Sequence, residues 1–403
     1  MAEVAHASAL EQLISRSYLV RPDQLPVLVA ECATLLGSSA TTLFLVDYEQ
    51  STLVPVHGAP GDDREPLRID GTLAGNAFRR VVTQVSDAGE NRRVWVPLLD
   101  GVERLGVVEY VLPADDDAAD TGPLESFTHL VAELVISKRA YTDAYEWTRR
   151  RRPMALAAEM QWSLLPPLTF GTPRLVISGL LAPAYDVGGD AFDYAVNGSL
   201  AHVAVFDSMG HGLRAAQLAA LAVGAYRNAR RAGLPLQEKA LAIDEALRDQ
   251  HGGERFVTAL LGRLDLDTGE FTWISAGHPA PLLLRNHKVL GALHMDEPCQ
   301  PLGLLDLAGG APPVVQTESL QPGDRLLLFT DGVDEARGRD GSFFGMQRLA
   351  EFVAKQSASG EPTPEVMRRL QHAVLEHQQG ELQDDATTLF VEWLTGKEKQ
   401  LEP

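Results

Sequence analysis

The chain has 403 residues, and its 35 Lys and Arg residues against 55 Asp and Glu residues give a net charge of −20. With 45% hydrophobic and 22% charged residues, the composition is typical of a globular protein of two or three domains. Because the chain is strongly acidic, it repels a long polyanion, and we expect no nucleic-acid partner. Two cysteines, Cys32 and Cys299, exclude a disulfide scaffold and a cysteine-rich zinc site.

The sequence shows no sign of targeting to a membrane. Its N-terminus lacks a basic segment followed by an apolar one, so we expect no signal peptide. The longest uncharged stretch, residues 32–46, contains Gly, Ser and Thr and is shorter than the roughly 20 apolar residues of a spanning helix. We therefore expect no membrane segment and a cytoplasmic location.

Apolar periodicity predicts an α/β unit over residues 8–145, with a sheet and flanking helices. In chain order its elements are a helix over 8–36 broken at Arg21 and Pro22, strands at 41–47 and 52–56, a helix from 71 running into a strand near 85, strands at 93–98 and 105–111, and one long helix over 124–152.

A helical linker over 146–169 precedes a second, strand-rich region over 170–395. Its predicted strands lie near 175–182, 191–196, 199–206, 256–265, 270–275, 281–285, 325–330 and 386–393, and its helices near 212–231, 236–250, 346–356 and 363–378. The chain is therefore predicted to be an α+β protein of two domains.

The dipeptide Asn197-Gly198 lies between two apolar strands and is a strong hairpin signal. A two-residue turn there places Asp207 one diagonal step from Asp190 on the same face, roughly 7–8 Å away. Asp193 has the opposite parity and is expected on the other face. Local geometry thus brings two acids together at the open end of a hairpin.

Further acids flank two later strands. Asp331 follows the strand at 325–330, and Asp384 and Asp385 precede the strand at 386–393. If these strands are antiparallel neighbours, their acids meet along one sheet edge with the hairpin acids. Four carboxylates in one place are unfavourable unless cations neutralise them. Oxygen ligands favour Mg²⁺ or Mn²⁺, and a pair of such ions promotes attack of water on a phosphate ester.

A simpler interpretation exists for each of these residues. Asp beside Gly is usually a turn residue, and we prefer the metal interpretation only for the acids as a set. His211 and His278 invite interpretation as catalytic acids, but we favour a role in bracing their glycine turns, because a two-metal site needs no histidine ligand.

Five motifs occur in order in the C-terminal half: YDVGGD (185–190), DSMGHG (207–212), SAGHP (275–279), TDGVDEA (330–336) and DDAT (384–387). Together they resemble the SpoIIE/RsbU-type branch of the PPM (protein phosphatase two C-like) serine/threonine phosphatases. The resemblance covers about residues 170–394 and implies an αββα sandwich with a two-metal centre, usually Mn²⁺ or Mg²⁺.

The same resemblance implies roles for individual residues. Asp190 and Asp207 would be the central ligands, and the main-chain carbonyl of Ser208 would complete the shell of one ion. Asp331 and Asp384 would hold the second ion, because the metal ligand leads the family's last motif. The family usually has Gly at the position of Ser208. We expect weakened metal binding if that position needs a positive φ or a close backbone approach.

The N-terminal unit resembles a GAF domain. The likeness rests on the predicted first hairpin, on GTLAG (71–75) at a helix start, and on the strands VWVPL (94–98) and LGVVE (105–109). It implies either a small-molecule ligand or a dimerisation role, and both remain open. The apolar stripe of the helix over 124–152 is either packed in its domain or paired with a second copy as a coiled coil.

The segment MALAAEMQWSLLP (154–166) resembles the helical element that relays a sensor's state to the metal site in related phosphatases. We therefore expect a metal-dependent serine/threonine protein phosphatase, controlled by the GAF-like domain and forming a homodimer. Its expected substrate is a phosphoprotein, by analogy an anti-sigma-factor antagonist. The alternatives are a phosphatase-fold scaffold without catalysis and a two-metal nuclease or other phosphodiesterase, which the net charge disfavours.

Overall fold

The computed structural model describes residues 2–57, 64–114, 120–186, 188–295, 299–305, 312–338, 340–378 and 384–395. Val187 of the first motif lies outside these ranges. The chain divides into two compact units, Met1–Pro153 and Met154–Pro403. Within the described ranges no helix combines the length and the apolar character that crossing a bilayer requires.

The N-terminal unit is one antiparallel sheet, in strand order β3-β2-β1-β6-β5-β4, with helices on both faces. Its elements are α1 (Ala2–Ser17), α2 (Leu25–Ala33), β1 (Ala40–Val46), β2 (Thr52–Pro55), β3 (Leu67–Arg68), α3 (Leu73–Arg80), β4 (Gln84–Ala88), β5 (Asn91–Asp100), β6 (Glu103–Pro113), α4 (Gly122–Arg139) and α5 (Ala144–Arg149), with 3-10 turns at Pro22–Gln24 and Thr34–Leu36. Helices α1, α2 and α4 share one core with the sheet, and α3 packs in a second core.

The prediction of one continuous helix over 124–152 is wrong, because the helix ends at Arg139 and α5 begins only at Ala144. Tyr145 is buried in the core, and its hydroxyl donates a hydrogen bond to the carbonyl of Pro22 at 2.9 Å. This packing makes the chain turn between α4 and α5. The apolar stripe of α4 is buried in its own unit, which accounts for the stripe without a coiled coil.

The C-terminal unit is an αββα sandwich, which confirms the predicted architecture. Its elements are α6 (Leu156–Leu164), β7 (Thr169–Thr172), β8 (Leu175–Ala182), β9 (Asp190–Asn197), β10 (Leu200–Ser208), α7 (Leu213–Arg231), α8 (Leu236–His251), β11 (Val257–Asp265), β12 (Glu270–Ala276), β13 (Leu282–Arg285), β14 (Lys288–Ala292), β15 (Gln316–Ser319), β16 (Arg325–Phe329), α9 (Asp331–Asp334), α10 (Gly345–Ser357), α11 (Thr363–His377) and β17 (Ala386–Trp393).

Two sheets form the middle layers, in strand orders β15-β12-β11-β10-β9 and β14-β13-β16-β17-β8-β7. One apolar core lies between the sheets. Helices α7 and α8 cover the outer face of the first sheet, and α10 and α11 cover the outer face of the second. Burial of apolar surface in these three cores supplies the main stabilisation of the unit.

The β9–β10 hairpin forms as predicted, but its register differs by two residues. Asn197 pairs with Leu200, so Asp207 lies directly opposite Asp190 and not diagonal to it. The turn is formed by Gly198 and Ser199, and of these two only Gly198 has a positive φ, +62°. A shift of two residues preserves which face each side chain occupies, so both acids remain on the inner face.

Asp193 lies on the opposite face of the same sheet, as predicted. It is buried there and forms ion pairs with Arg227 at 2.6 Å and Arg230 at 2.5 Å, both on α7. Asp193 therefore ties a helix to the sheet and takes no part in the inner-face cluster.

Candidate metal centre

A polar row crosses three strands at one end of the first sheet. In the antiparallel ladders, Asp207 of β10 lies opposite Asp190 of β9 on one side and opposite Thr258 of β11 on the other. Directly opposed residues of such ladders have Cα atoms about 4.5–5.5 Å apart. The hydroxyl of Thr258 lies 3.4 Å from Oδ2 of Asp207.

The second sheet brings its acids to the same place. Strands β16 and β17 are antiparallel neighbours, as predicted, and pair Phe329 with Thr388. Asp331 follows the end of β16 and Asp384 precedes the start of β17, so both lie at the same end of the sheet.

A cavity of about 360 Å³ lies where these elements meet. Its lining residues are Asp207, Ser208, Met209, Gly210, His211, Phe256, Thr258, Asp331 and Asp384. Four of the five predicted site residues therefore share one cavity. The fifth, Asp190, lies beside Asp207 but is only 2% exposed and is not among the lining residues.

The electrostatics of the cluster show mutual repulsion. Burial, followed by the nearby charges of Asp331, Asp384 and Asp385, raises the pKa of Asp207 to about 7. Burial, followed by the charges of Asp207 and Asp385, raises the pKa of Asp190 well above its ordinary value, against the opposing effects of the Thr330 and Thr387 side chains. These acids are therefore difficult to ionise together without a cation nearby.

The two acids of the last motif have different surroundings. Oδ2 of Asp385 accepts hydrogen bonds from the main-chain N–H groups of Gly188 at 2.7 Å, Gly189 at 2.5 Å and Asp190 at 3.3 Å. Asp384 instead lines the cavity. Asp385 thus anchors the loop that leads into β9, whereas Asp384 presents its carboxylate to the cavity.

The glycines of the first motif permit a close approach of two loops. A Cβ atom on Gly188 would stand 2.1 Å from the main-chain nitrogen of Gly212, and one on Gly189 would stand 2.9 Å from the carbonyl oxygen of Ser208. Both distances are too short for a side chain. The two glycines therefore let the loop before Asp190 lie against the segment that follows Asp207.

Ser208 ends strand β10 and is buried, with 1% of its surface exposed. Its φ is not positive, so the backbone conformation gives no reason for glycine at this position. Its hydroxyl makes no hydrogen bond with the part of the chain that the structure describes. Its carbonyl approaches Gly189 closely, where the absence of a side chain makes room for it.

The two histidines of the motifs differ in access to the cavity. His211 is exposed and lines it, whereas His278 is 3% exposed, and burial lowers its pKa to about 4. Nδ1 of His278 lies 2.9 Å from the hydroxyl of Thr258. The hydroxyl of Ser275 donates to the carbonyl of His278. These contacts fit the expected bracing role of His278.

The donor set fits a hard divalent cation. Carboxylate and carbonyl oxygens are the ligands that Mg²⁺ and Mn²⁺ prefer, and a bound dication would relieve the repulsion that, after burial, raises the pKa of Asp207. Among the residues in the described ranges, no three His, Cys, Asp or Glu side chains stand close enough to enclose a metal ion. The acids therefore line an open cavity and do not form a closed cage.

Sequence reasoning did not single out the polar residues that support the acids. The hydroxyl of Thr330 donates to Asp190 at 2.6 Å, and the side-chain amide of Gln161 on α6 donates to the main-chain carbonyl of Asp190 at 2.5 Å. Thr330 stands next to Asp331, which is the one signal in the sequence for its place in the site. Gln161 lies inside the predicted linker helix, and nothing in the apolar pattern distinguishes it.

Part of the C-terminal unit matches a known protein family. Residues 197–394 match the family described as stage II sporulation protein E, SpoIIE. The phosphoserine phosphatase RsbU of Bacillus subtilis is 23% identical over 236 residues, which cover 59% of this chain and 68% of RsbU. Protein IcfG of Synechocystis is 26% identical over 148 residues, which cover 36% of this chain and only 22% of IcfG.

Among solved structures, the RsbU and RsbW domains of Rv1364c from Mycobacterium tuberculosis are 28% identical, with a TM-score of 0.48 over 57% of this chain and 62% of that one. The family match includes Asp207 on β10, Asp331 at the start of α9 and Asp384 just before β17. The C-terminal unit therefore belongs to the SpoIIE-type family of PPM phosphatase domains.

Proposed function

We propose that the C-terminal unit is a metal-dependent phosphatase that hydrolyses phosphoserine or phosphothreonine on a protein. The observation that carries the proposal is the cavity lined by Asp207, Asp331 and Asp384 within the family-matched region. In this proposal the metal ligands are Asp190, Asp207, Asp331, Asp384 and the main-chain carbonyl of Ser208.

Two Mn²⁺ or Mg²⁺ ions bound there would neutralise the phosphate and lower the pKa of the attacking water. The protein supplies oxygen donors on the ends of rigid strands, with Asp385 anchoring the loop before Asp190. The open cavity admits a phosphorylated side chain. His211 is exposed at this cavity, whereas the buried His278 is out of a substrate's reach.

The substrate of this proposal is a phosphoprotein in a partner-switching pathway, by analogy an anti-sigma-factor antagonist. The support is the similarity to a protein named phosphoserine phosphatase RsbU. The N-terminal unit is proposed to be a GAF-like regulatory domain, with either a small-molecule ligand or a dimerisation role. Ile14, Tyr18 and Leu19 are exposed at and just after the end of α1, and this apolar surface supports a homodimer.

A phosphatase-fold scaffold without catalysis is the second candidate. It is favoured by one observation, that the described acids do not form a closed cage around an ion position. Such a scaffold would bind a partner through the same fold but would turn over no phosphopeptide.

The test is hydrolysis of a phosphoserine peptide with and without Mn²⁺. We expect Asp207→Asn to reduce the Mn²⁺-dependent rate by more than about 100-fold, because losing a ligand exceeds the typical effect of losing a residue that supports one. The control is Asp249→Asn, an exposed aspartate on α8, which should leave the rate unchanged. Full Mn²⁺-dependent hydrolysis by Asp207→Asn would refute the assignment. An unsubstituted protein that hydrolyses no phosphopeptide would favour the scaffold.

A further inference from the structure

Thr330 lies between β16 and α9 and is completely buried. Its hydroxyl oxygen is 3.0 Å from the main-chain nitrogen of Thr387 and 2.6 Å from Oδ2 of Asp190. Its own main-chain N–H donates to the carbonyl of Thr387 at 3.0 Å. The buried side chain of Thr330 is thus hydrogen-bonded to Asp190, which lies 140 positions away in the sequence.

The direction of these hydrogen bonds follows from the donors available. The nitrogen of Thr387 can only donate, so the hydroxyl oxygen of Thr330 accepts there. The single hydroxyl proton is then left for the carboxylate of Asp190, which accepts. A distance of 2.6 Å is typical of a hydroxyl that donates to an ionised carboxylate.

This hydroxyl joins all the segments that carry the candidate ligands of the second sheet to one ligand of the first. Asp190 begins β9 in the first sheet, Thr330 immediately precedes Asp331, and Thr387 follows Asp384 by three positions at the start of β17. The hydrogen bonds of Thr330 therefore cross from one sheet of the sandwich to the other at the end where the acids meet.

Asp190 needs such a contact because its nearest neighbour in the ladder is another acid. Asp207 lies directly opposite on the same face, and like charges in that position repel each other. This repulsion would favour other orientations of the Asp190 carboxylate if it had no fixed partner. The hydroxyl of Thr330 instead holds one carboxylate oxygen on the side of the second sheet.

We propose that Thr330 is a positioning residue for the divalent-cation site, holding the carboxylate of Asp190 in place relative to Asp331 and Asp384. The inference rests on the proposed function, because it assigns a role toward the same cations. Thr330 itself touches neither substrate nor ion in this account. It acts through the orientation of Asp190.

The test compares three variants of the full-length protein by calorimetric titration with Mn²⁺ alone. Thr330→Val removes the hydroxyl and keeps the shape of the side chain, whereas Thr330→Ser keeps the hydroxyl. Thr388→Val is the matched control, since Thr388 is a neighbouring threonine on β17 with 1% exposure and a hydroxyl that bonds to no described residue.

We expect Thr330→Val to weaken Mn²⁺ binding by about 10–100-fold, the usual effect of removing a hydrogen-bond partner of a metal ligand. Thr330→Ser and Thr388→Val should bind Mn²⁺ like the unsubstituted protein. Unfolding of each variant in EDTA shows whether it is folded. If Thr330→Val does not fold, Thr330→Ser still tests the inference: normal Mn²⁺ binding by Thr330→Ser supports a role for the hydroxyl that it retains, and weak Mn²⁺ binding by Thr330→Ser overturns the inference.

The outcomes separate this inference from the proposed function. Normal Mn²⁺ affinity in folded Thr330→Val overturns the positioning role and leaves the proposed metal site intact. An unsubstituted protein that binds no Mn²⁺ overturns the proposed function, and the inference fails with it. Selective weakening in Thr330→Val, with normal binding in both other variants, supports the inference.

Discussion

Oδ2 of Asp385 lies 2.7 Å from the main-chain nitrogen of Gly188, although the two residues are 197 positions apart in the sequence. The neighbouring acid, Asp384, lines the cavity, and its Oδ1 accepts a hydrogen bond from the adjacent main-chain N–H of Asp385 at 2.9 Å, not from a distant loop. Two adjacent carboxylates thus serve different purposes, one in fixing a loop and one in presenting oxygens to the proposed cations.

This difference predicts opposite phenotypes for the two acids. Asp384→Asn should weaken Mn²⁺ binding and leave unfolding in EDTA nearly unchanged. Asp385→Ala should lower the free energy of unfolding in EDTA by roughly 1–3 kcal/mol, because three main-chain N–H groups lose their acceptor. Titration with Mn²⁺ and denaturation in urea measure the two effects. Equal loss of stability in both variants would contradict the assignment.

Gly188→Ala should disrupt the site through the backbone. The added methyl group would stand 2.1 Å from the main-chain nitrogen of Gly212, so the loop before β9 must move away from the segment after Asp207. We expect lower stability and weaker Mn²⁺ binding, measured by thermal unfolding and by titration. The control is Gly224→Ala on α7, where nothing lies within 4 Å and alanine should stabilise the helix by about 1 kcal/mol. Unchanged Mn²⁺ binding in Gly188→Ala would contradict the close approach of the loop before β9 to the segment after Asp207.

The acid cluster predicts how the stability of the metal-free protein depends on pH. Folding raises the pKa of Asp207 from 3.8 to about 7, chiefly by burial. The folded state therefore binds this proton more tightly than the unfolded state does, and the free energy of unfolding should fall as pH rises from about 4 through about 7. The fall should be smaller in Asp207→Asn, which cannot ionise. Urea denaturation in EDTA across this pH range measures the free energy of unfolding of both proteins. An identical pH dependence in the two would contradict the raised pKa of Asp207.

The sequence was sufficient to predict the face on which each hairpin acid lies, but not the register. The dipeptide Asn197-Gly198 indicated a turn centred on those two residues, whereas Asn197 stays in the ladder and Gly198 takes the first turn position. Because the error is two residues, Asp190 and Asp207 keep their common face. The alternation of residues along a strand determines which face of the sheet each side chain occupies. The pairing register depends also on the geometry of the turn, which the residue types alone did not determine.

The spacing of apolar residues in the sequence does not predict contacts between distant segments. A threonine at the end of a strand is ordinary, so nothing marked Thr330 as a partner of Asp190. The predicted helix over 124–152 failed for a similar reason, since burial of Tyr145 and its bond to Pro22 override the helical spacing. Both features depend on which segments meet in three dimensions.

The most direct measurement is anomalous diffraction from crystals of the unsubstituted protein in Mn²⁺. We predict Mn²⁺ peaks in the cavity bounded by Asp207, Asp331 and Asp384, and their loss in crystals of Asp207→Asn. A cavity without Mn²⁺ at saturating concentration, or ions found only on other surfaces, would contradict the assignment of these acids to a metal-dependent phosphatase site.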